Sequence, residues 1–422
     1  MHSSTVFFLA LQRLRAPLIA LITVFATGMA GLVAIPGVDA AGQAWHMTFA
    51  QALYFMTYTA TTIGFGEIPH AFTDTQRLWV TAMIFLSVLG WAYMLTNLMR
   101  LVGDHAFRNA LAMTRFEREV ARIHGPFYII CGIGETGLLV CRALDTMGYR
   151  FVAIDSQQGP VDELELAGLV QDPPSLVSDA RLPTNLLAAG LKRGTCMGVL
   201  ALTDNDRVNL AVTMAVRLLK PDTPVLARAQ SRETAANMAS FDTDHIINPF
   251  ATFGIILALA ISAPVSYRLL TWLTGRPGGR IGDILEPPRG HWVVCGYGRF
   301  GKEVVRALRQ EGLVVTVIDP KITANGEFSV VQGAATNAGP LREAGIEQAV
   351  GIVAGLSDDV DNLSIVVTAR ELNKNLFTIV RQNLRANQTL FDAFDSDMTM
   401  GCRAKSWRAS ALLWRTRRCS GA

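Results

Sequence analysis

Glycines at two places in this sequence have a spacing that can hold a ligand. The first is the run Thr62-Ile-Gly-Phe-Gly66, in which glycines alternate with apolar residues. Glycine accepts backbone angles closed to other residues, so this alternation lets successive carbonyls point the same way. Four such segments around one axis would form stacked rings of oxygen that replace an ion's hydration shell, with the Thr62 hydroxyl at the inner ring. We therefore expect Thr62, Ile63, Gly64, Phe65 and Gly66 to hold a dehydrated cation.

The second set of glycines is a G-x-G-x-x-G fingerprint that occurs twice, once from Gly132 and again from Gly296. Each copy follows an apolar strand, opens a helical pattern, and precedes a second strand that ends in an acid, at the same distance from the first glycine in both copies. A single fingerprint is a weak signal, but strand, glycines, helix, strand and acid repeated in register are a strong one. The residues are Gly132, Gly134, Gly137 and Asp155 in the first copy, and Gly296, Gly298, Gly301 and Asp319 in the second.

This fingerprint has the chemistry of an adenine-nucleotide site. The glycines let the backbone approach a pyrophosphate, the helix N-terminus supplies N–H groups, and the acid accepts from ribose hydroxyls. A free 2′-OH is favoured, as in NAD, ADP or ATP. Arg299 in the second copy attracts phosphate, whereas Glu135 in the first repels it. We expect the second copy to bind nucleotide, and the first to bind weakly, to bind a cation, or only to hold the fold.

The repeat continues beyond the fingerprints as alternating strand and helix patterns with short links, which predict a doubly wound parallel sheet in each half. Four residues near the predicted strand ends are secondary candidates for nucleotide or cation binding, and a Ca²⁺ site is one use for the acids among them. These residues are Asp179, Thr203, Asp204 and Gly333.

The elements before the repeat are apolar and of membrane-spanning length. Residues 17–35 and 78–101 predict two spans, because about 20 apolar residues cross a ~30 Å hydrocarbon core. Between them Trp45–Tyr58 has helical length but is too short to cross, and lies just before Thr62. It predicts a re-entrant helix, since irregular backbone at membrane depth must be buried or line water.

The charge distribution sets the orientation of these spans. Arg13 and Arg15 precede the first span, and Arg100 and further arginines follow the second, so both termini are expected in the cytoplasm of the cell (inner) membrane. A rival interpretation makes residues 1–40 a signal peptide, although its apolar run exceeds the usual length. In the second span Gly90 is a candidate gating hinge or a close helix contact, and Asn97 is expected to face a pore or a neighbouring subunit.

A third apolar stretch, residues 246–267, also passes the length test for a span. A third crossing would separate the two similar halves on opposite sides of the membrane. Pro249 and Pro264 interrupt the stretch, and a buried interface helix is apolar all round as well. We therefore favour an interface helix outside the membrane.

Composition limits the remaining possibilities. Half of the 422 residues are hydrophobic and 17% are charged, which excludes disorder and does not fit an ordinary soluble enzyme. The net charge of +3 does not indicate nucleic acid as a partner. The six cysteines include no C-x-x-C pair and are interpreted as reduced cytosolic thiols. They are Cys131, Cys141, Cys196, Cys295, Cys402 and Cys419.

With Thr62-Ile-Gly-Phe-Gly66 followed by two fingerprints, the chain resembles a two-transmembrane prokaryotic potassium channel with tandem RCK (regulator of K⁺ conductance, TrkA-N type) domains over roughly residues 15–395. The resemblance implies K⁺ at Thr62, Ile63, Gly64 and Phe65, and a homotetramer in lipid whose eight RCK domains form a gating ring. It also implies that nucleotide or divalent cation expands the ring and pulls the inner helices apart. Phe65 replaces the usual tyrosine and Glu67 the usual aspartate, so filter rigidity and inactivation are expected to differ. The segment at Asn248 resembles that family's crossover helix.

The C-terminus departs from the family pattern after Asp397, because the following residues are basic and include no acid. Their basic residues fit a patch for anionic lipid, a disordered tail or a shifted reading frame. These are Arg403, Lys405, Arg408, Arg415, Arg417 and Arg418.

Taken together, the sequence predicts a membrane α-helical pore domain with two transmembrane helices and a re-entrant helix, followed by two α/β Rossmann-like RCK domains. The expected function is a ligand-gated, potassium-selective channel and not an enzyme. The alternatives are a membrane-attached nucleotide-binding regulatory protein with a non-conducting pore, and an oxidoreductase. The boundaries are a pore domain (1–103), a helical linker (104–125), a first RCK domain (126–245), interface helices (246–288), a second RCK domain (289–397) and a basic tail (398–422).

Overall fold

The computed structural model describes residues 2–39, 41–68, 70–273, 286–322 and 326–401, and divides into two compact units, Met1–Arg118 and Glu119–Ala422. The predicted basic residues 403–418, Cys402 and Cys419 lie outside the described residues. The first unit contains the helices α1 (His2–Ala34), α2 (Phe49–Ala60) and α3 (Asp74–Gly103), and a small antiparallel pair of strands, β1 (Gly37–Val38) and β2 (Ala44–Trp45).

Two helices of the first unit have the length and composition of membrane spans. They are the segment Leu11–Ala34 of α1 and the whole of α3, while α2 has only 12 residues. This is the arrangement that the sequence predicts. Pro17, where the predicted first span begins, lies inside α1, so the helix extends further toward the N-terminus than the span.

The short helix α2 is fixed at its start and along one face. Thr48 and Gln51 form a capping box at its N-terminus, and Phe55 and Met56 are buried against α1 and α3. A second capping box, of Thr73 and Gln76, begins α3. The buried amide of Gln76 also donates to the Ile35 carbonyl at 3.2 Å, which ties the start of α3 to the end of α1.

Glycines of α1 let this helix approach α3 closely at Gly31 and α2 closely at Gly28. A Cβ on Gly31 would lie 2.1 Å from the Trp79 ring, and a Cβ on Gly28 would lie 2.6 Å from Met56. The Trp79 indole N–H donates to the Gly28 carbonyl at 3.3 Å. Small residues permit such contact between apolar helices. These two glycines were not among the predicted residues, because nothing in their spacing marks them.

The predicted linker is a helix, α4 (His105–Ala121). Asp104 ends α3 and starts α4, because its carboxylate accepts from the N–H groups of Ala106 and Phe107. Arg13 contacts the same carboxylate at 3.1 Å.

The second unit contains two parallel six-stranded sheets with the same strand order. The first sheet is ordered β5-β4-β3-β6-β7-β8 and the second β11-β10-β9-β12-β13-β14. In each, the order reverses beside the first strand, and the carboxyl ends of the strands at such a point are where α/β proteins bind ligands.

The elements of the first sheet and its helices are β3 (Phe127–Cys131), α5 (Glu135–Thr146), β4 (Arg150–Asp155), α6 (Gln158–Glu165), β5 (Ser175–Val177), α7 (Pro183–Ala188), β6 (Cys196–Ala201), α8 (Asp206–Leu219), β7 (Val225–Arg228), α9 (Arg232–Ser240) and β8 (His245–Ile247). Two helices follow, α10 (Pro249–Ser262) and α11 (Pro264–Leu273).

The elements of the second sheet are β9 (His291–Cys295), α12 (Arg299–Gln310), β10 (Val314–Ile318), β11 (Ser329–Val331), α13 (Ala338–Glu343), β12 (Gly351–Ala354), α14 (Asp359–Leu372), β13 (Phe377–Arg381), α15 (Gln388–Phe394) and β14 (Met398–Met400). The last strand of each sheet extends beyond the predicted domain boundary, to 247 against 245 and to 400 against 397. A three-residue strand at the edge of a sheet is too short to show periodicity in the sequence.

The third apolar stretch forms two helices and not one. α10 ends at Ser262, and α11 begins at Pro264, which cannot continue the hydrogen bonding of a preceding helix. Phe250, Phe253 and Leu257 of α10 are buried in the core of the second sheet, against α12. With 14 residues α10 is shorter than a span, and its apolar surface is explained by this packing.

Buried asparagines connect the strands in both sheets. Asn209 in the first turn of α8 donates to the carbonyls of Thr203 and Arg228 and accepts from the Thr203 N–H. Asn362 in α14 does the same with Leu356 and Arg381. Both side chains are fully buried, so each holds the ends of two neighbouring strands at a fixed separation.

Candidate functional sites

The predicted filter loop directly follows α2 and has an alternating backbone. The φ angle is positive at Thr62 (62°), Gly64 (66°) and Gly66 (73°), and these are joined by Ile63 and Phe65, which are not in the left-handed region. Alternation of this kind is what turns successive carbonyls to one side. A left-handed threonine is rare and strained, and such strain persists only where the surrounding structure imposes it.

The start of the loop is tied to α2 by backbone hydrogen bonds. The N–H groups of Ile63 and Gly64 both donate to the Tyr58 carbonyl, at 3.0 and 3.2 Å. Ile63 and Phe65 are 61% and 65% exposed in the single chain, so the loop lies at the surface of its unit.

The end of the loop is held by two tyrosines of α2. The Tyr54 hydroxyl donates to the Glu67 carboxylate and the Tyr58 hydroxyl donates to the Glu67 carbonyl, both at 3.1 Å. The sequence shows that Phe65 has no hydroxyl to brace the loop. It did not lead us to predict that Tyr54 and Tyr58 supply hydroxyls in its place. Tyr54 and Tyr58 are four residues apart on one helix, and that spacing was the available signal.

The structure places the two candidate gating residues in α3. A Cβ on Gly90 would lie 3.7 Å from Leu21, which is ordinary contact, so the close helix contacts lie at Gly28 and Gly31 and not here. The Asn97 amide donates to the Tyr93 carbonyl of its own helix at 2.7 Å. This bond satisfies one of its two N–H donors within α3.

In the second unit the glycines of each fingerprint have distinct tasks. The first glycine has φ of 96° at Gly132 and 90° at Gly296, which other residues rarely adopt. A Cβ on the third glycine would lie 2.0 Å from the Gly132 carbonyl, or 1.9 Å from that of Gly296. The middle glycines, Gly134 and Gly298, precede the first turns of α5 and α12, and no described atom lies within 4 Å of where their Cβ would be. Each helix N-terminus is therefore open to an anion.

The acids at the second strands hold the glycine turns in place. Asp155 accepts from the Ile133 N–H at 2.6 Å and Asp319 from the Tyr297 N–H at 2.8 Å. Their other oxygens accept from Gln157 and Lys321. Each oxygen keeps a second lone pair for a ribose hydroxyl. The carboxylates thus shape the turn and have acceptor capacity left for a nucleotide.

The two turns differ at the residue that begins the helix. Glu135 begins α5, and its carboxylate accepts from the Arg385 N–H at 3.3 Å, in the loop after β13. Arg299 begins α12 and is exposed at the second turn. The first turn therefore adds a negative charge to the helix N-terminus and the second adds a positive charge.

Comparison with known proteins identifies these units. A model of the TrkA-N domain matches residues 128–249 and 292–400, which together are more than half of the chain, and a model of the ion channel domain matches residues 19–104. The chain belongs to the TrkA-N domain family. The two TrkA-N units coincide with the two parallel sheets, and the ion channel match covers the C-terminal half of α1, the predicted filter loop and all of α3, which confirms the predicted fold class.

One relative is potassium channel protein 1 of Methanocaldococcus jannaschii, 25% identical over 213 residues that cover 50% of this chain and 61% of the relative. The chain spans between 34% and 61% of the length of the first curated relatives. Among solved structures, the GsuK channel bound to ADP has a TM-score of 0.51 and 18% identity, covering 96% of this chain and 98% of its own. The GsuK channel bound to NAD has a TM-score of 0.53 and 17% identity, covering 97% and 83%. These likenesses concern the fold.

The secondary candidates in the TrkA-N units have structural partners. Asp179 is paired with Arg181 at 2.6 Å, and the Arg181 hydrogen bonds hold the pKa of the Asp179 carboxyl below its usual value. Thr203 packs against Gly132, Gly333 packs against Pro340, and Asp204 lines a cavity between the two sheets. Among the described residues no three His, Cys, Asp or Glu side chains are grouped as a metal site.

The described cysteines of the TrkA-N units are free and buried. Burial raises the pKa of the Cys131 and Cys141 thiols to about 12, and it raises the pKa of Cys196 and Cys295 as well. They are therefore protonated and unreactive in the folded protein, as expected for reduced thiols in a core.

Proposed function

We propose that this chain is a subunit of a potassium-selective channel that is opened or closed by an adenine nucleotide bound to its TrkA-N units. The observation that carries the proposal is the alternating backbone of Thr62–Gly66, between two helices of spanning length and ahead of two nucleotide-type turns. A regulatory protein without a conducting pore has no need of left-handed residues at every second position.

The identity of the permeant ion is inferred from the backbone carbonyls of the loop. Carbonyls of Thr62, Ile63, Gly64 and Phe65 from four subunits would replace the hydration shell of K⁺. Four copies close such rings, so we propose a homotetramer with eight TrkA-N units arranged as a cytoplasmic gating ring. The named relative is a potassium channel protein, which supports a transport function in place of catalysis.

The class of regulatory ligand is inferred from the residues of the second glycine turn. Gly298 leaves the helix N-terminus open, Arg299 supplies positive charge, and Asp319 has acceptor capacity for ribose. We propose NAD or ADP as the ligand there, and a weaker or structural role for the turn at Glu135. The similar GsuK fold has been solved with ADP and with NAD, which supports this ligand class.

The membrane arrangement completes the proposal. The arginines before the first span and after the second favour a cytoplasmic location for the N-terminus and the TrkA-N units, with the spans in the cell membrane. A ring that changes shape with nucleotide would then pull on α3, with Gly90 as the hinge.

The test is ion flux through the purified full-length protein in liposomes. Efflux of K⁺ and Na⁺ is measured with and without NAD⁺, NADH, ADP, ATP and Ca²⁺. We expect K⁺ efflux well above Na⁺ efflux, changed by one of the nucleotides. A tetrameric protein with no flux in any condition would overturn the proposal in favour of a regulatory protein. Consumption of NADH with an oxidant would instead point to an oxidoreductase.

A further inference from the structure

The chain passes from α4 into the first sheet through a short bend. α4 ends at Ala121, β3 begins at Phe127, and Gly125 between them has a φ of 106°. Residues other than glycine rarely adopt this backbone conformation. A short connection of this kind lets a helix turn relative to the sheet that follows it, unless side chains from elsewhere hold the helix.

Two arginines of the first TrkA-N unit hold the helix side of this bend. The Arg193 guanidinium donates to the carbonyl of Val120, in the last turn of α4, and to the carbonyl of Ile123 at 2.7 Å. Arg150 donates to the His124 carbonyl at 2.6 Å. All three acceptors precede the glycine of the bend, and both donors follow it. The three hydrogen bonds therefore bridge the bend.

The position of Arg193 is fixed by its surroundings. Its guanidinium carbon lies over the buried Phe127 ring, 5.4 Å from the ring centre, and a cation is attracted to the face of an aromatic ring. Its carbonyl accepts from the Lys220 ammonium at 2.8 Å. The contact with α4 is close, because a Cβ on Gly190 would lie 3.0 Å from the Arg193 side chain and 3.2 Å from Val120.

A guanidinium suits the end of a helix for two reasons. The last carbonyls of a helix have no partner within it and carry the negative end of its dipole, so a cation is favoured there. The planar fork of arginine also presents several N–H groups in a fixed geometry, which a lysine ammonium does not. Arg193 bonds to two carbonyls at the end of α4, so it fixes the direction of the helix end as well as its position.

The second TrkA-N unit has uncharged residues at the equivalent positions. In each unit a glycine with positive φ is followed, three residues later, by a residue whose N–H donates back to the carbonyl of that glycine. This residue is Arg193 in the first unit and Gln348 in the second. Pairing of the first two strands makes Arg150 equivalent to Val314. The two cations are therefore present in the unit that α4 enters and not in its duplicate.

We propose that Arg193 and Arg150 are positioning residues that fix the end of α4 to the first TrkA-N unit and thereby couple nucleotide binding to the pore. The inference rests on the proposed function, because it concerns how a change in the ring reaches α3. In the chain, α4 is the segment that joins α3 to the first sheet. A helix that turned freely at the bend would absorb a movement of the unit, whereas a fixed helix transmits the movement to α3.

The test compares nucleotide binding with nucleotide response in full-length variants. Arg193→Gln and Arg150→Val each give the first unit the residue that the second unit has at the equivalent position, where the same fold accommodates it. Calorimetry measures the affinity for ADP and for NAD⁺, and liposome efflux measures the change in K⁺ flux that each nucleotide causes. We expect the double variant to keep its affinity within about twofold and to show a nucleotide-dependent change in flux at least about tenfold smaller.

Two further variants serve as controls. Lys192→Gln makes the same chemical change at the exposed neighbour of Arg193, and it should alter neither affinity nor response. Arg193→Lys keeps the charge but not the fork, so it should retain less than about half of the response. A residue that served stability alone would lower the thermal stability without separating affinity from response.

Hydrogen exchange of the protein in lipid nanodiscs gives a readout that does not depend on K⁺ flux. The N–H groups of Arg122 and Ile123 donate to the carbonyls of Glu119 and Val120 at the end of α4, both at 3.1 Å. In the double variant we expect the peptide containing residues 119–124 to exchange at least about fivefold faster, while the peptide of β6 keeps its rate.

Three results would overturn the proposal. A double variant with an unchanged nucleotide response would show that coupling does not pass through these arginines. Unchanged exchange at residues 119–124 would show that they do not hold the helix end, and a parallel loss of affinity and response would assign them to binding. Failure of the proposed function would be distinct, because the unaltered protein itself would then show no K⁺ flux or no nucleotide response.

Discussion

At the scale of single residues, the filter loop depends on hydroxyl groups outside its own sequence. Tyr54 and Tyr58 of α2 hydrogen-bond to Glu67 at the end of the loop. Phe65, within the loop, has no hydroxyl that could make such a bond. A hydrogen bond of this kind contributes about 1 kcal/mol. Two such bonds hold a loop whose backbone is strained at Thr62, so they favour the ordered form of the loop.

Removing both hydroxyls should make the conducting state of the proposed filter less stable. For the double variant Tyr54→Phe, Tyr58→Phe, we expect K⁺ current to decline at least about fivefold faster during sustained opening, because roughly 1 kcal/mol or more of support for the loop is lost. Single-channel recording in bilayers measures this. Tyr93→Phe, on α3, is the matched control. Unchanged decline in the double variant would show that the tyrosines do not brace the filter.

The buried thiols give a second prediction at this scale. With a pKa of about 12, Cys131 and Cys141 have a thiolate fraction of only about 10⁻⁴ at pH 8. We expect N-ethylmaleimide to leave both unlabelled in the native protein and to label them fully in 6 M guanidinium, as read by peptide mass spectrometry.

The raised pKa values also make the stability of the fold depend on pH. In the folded state the pKa of both thiols lies above the value of 9.0 for a free thiol, so the stability that the two thiols contribute is fully present below pH 9. That stability is lost as pH rises toward 12. Rapid native labelling at pH 8 would contradict the burial of these thiols.

At the scale of helices and strands, much of the fold could be predicted from the sequence. The repeat located both TrkA-N units because strand, glycine turn and acid recur at one spacing. The membrane spans could be predicted because few structures other than a membrane-spanning helix accommodate a long uncharged, apolar run. The role of Asn209 and Asn362 could not be predicted, because their long-range bonds to the Arg228 and Arg381 carbonyls have no local signature in the sequence. The hydrogen bonds by which the fingerprint acids hold the glycine turns were hidden for the same reason.

The ion pair between α9 and α12 gives a prediction at this scale. Glu303 is 8% exposed and contacts Arg232 at 2.7 Å and Arg306 at 2.8 Å. Burial alone would raise the pKa of this carboxyl, but the two arginines outweigh burial and lower it. Its stabilising contribution is thus present above pH 4.5 and is lost as pH falls through the lowered pKa.

Arg232→Ala should therefore reduce the free energy of unfolding by about 1–2 kcal/mol, because a buried carboxylate loses one of its partners and the other remains. Arg309→Ala breaks the exposed pair with Glu327 and serves as the control, with an expected change of about 0–1 kcal/mol. Thermal unfolding followed by tryptophan fluorescence compares the two variants. Equal changes would mean that burial of Glu303 adds nothing.

At the scale of the whole molecule, two similar TrkA-N units have opposite charges at equivalent turns. Exchanging them tests whether this charge decides which unit binds nucleotide. We expect Arg299→Glu to weaken ADP binding at least about tenfold, and Glu135→Arg to add a second binding event, because one charge at a helix N-terminus changes sign. Calorimetry on the full-length protein measures both affinity and stoichiometry.

Liposome flux then relates binding to gating. Arg299→Glu should need a correspondingly higher nucleotide concentration for the same K⁺ efflux. Loss of binding with an unchanged nucleotide response would place the regulatory site elsewhere in the chain.

The packing of α10 on the second unit also has a consequence during synthesis. The first sheet is complete once Ile247 has been made, but α10, which ends at Ser262, finds its partner only after α12 ends at Gln310. At about 5–20 residues per second, synthesis of the intervening segment lasts roughly 2–10 s. During that time the nascent chain exposes α10, an uncharged apolar helix, next to the bilayer into which the apolar helices α1 and α3 have already been inserted. Chaperone capture of the nascent chain should therefore peak while the chain ends between Ser262 and Gln310.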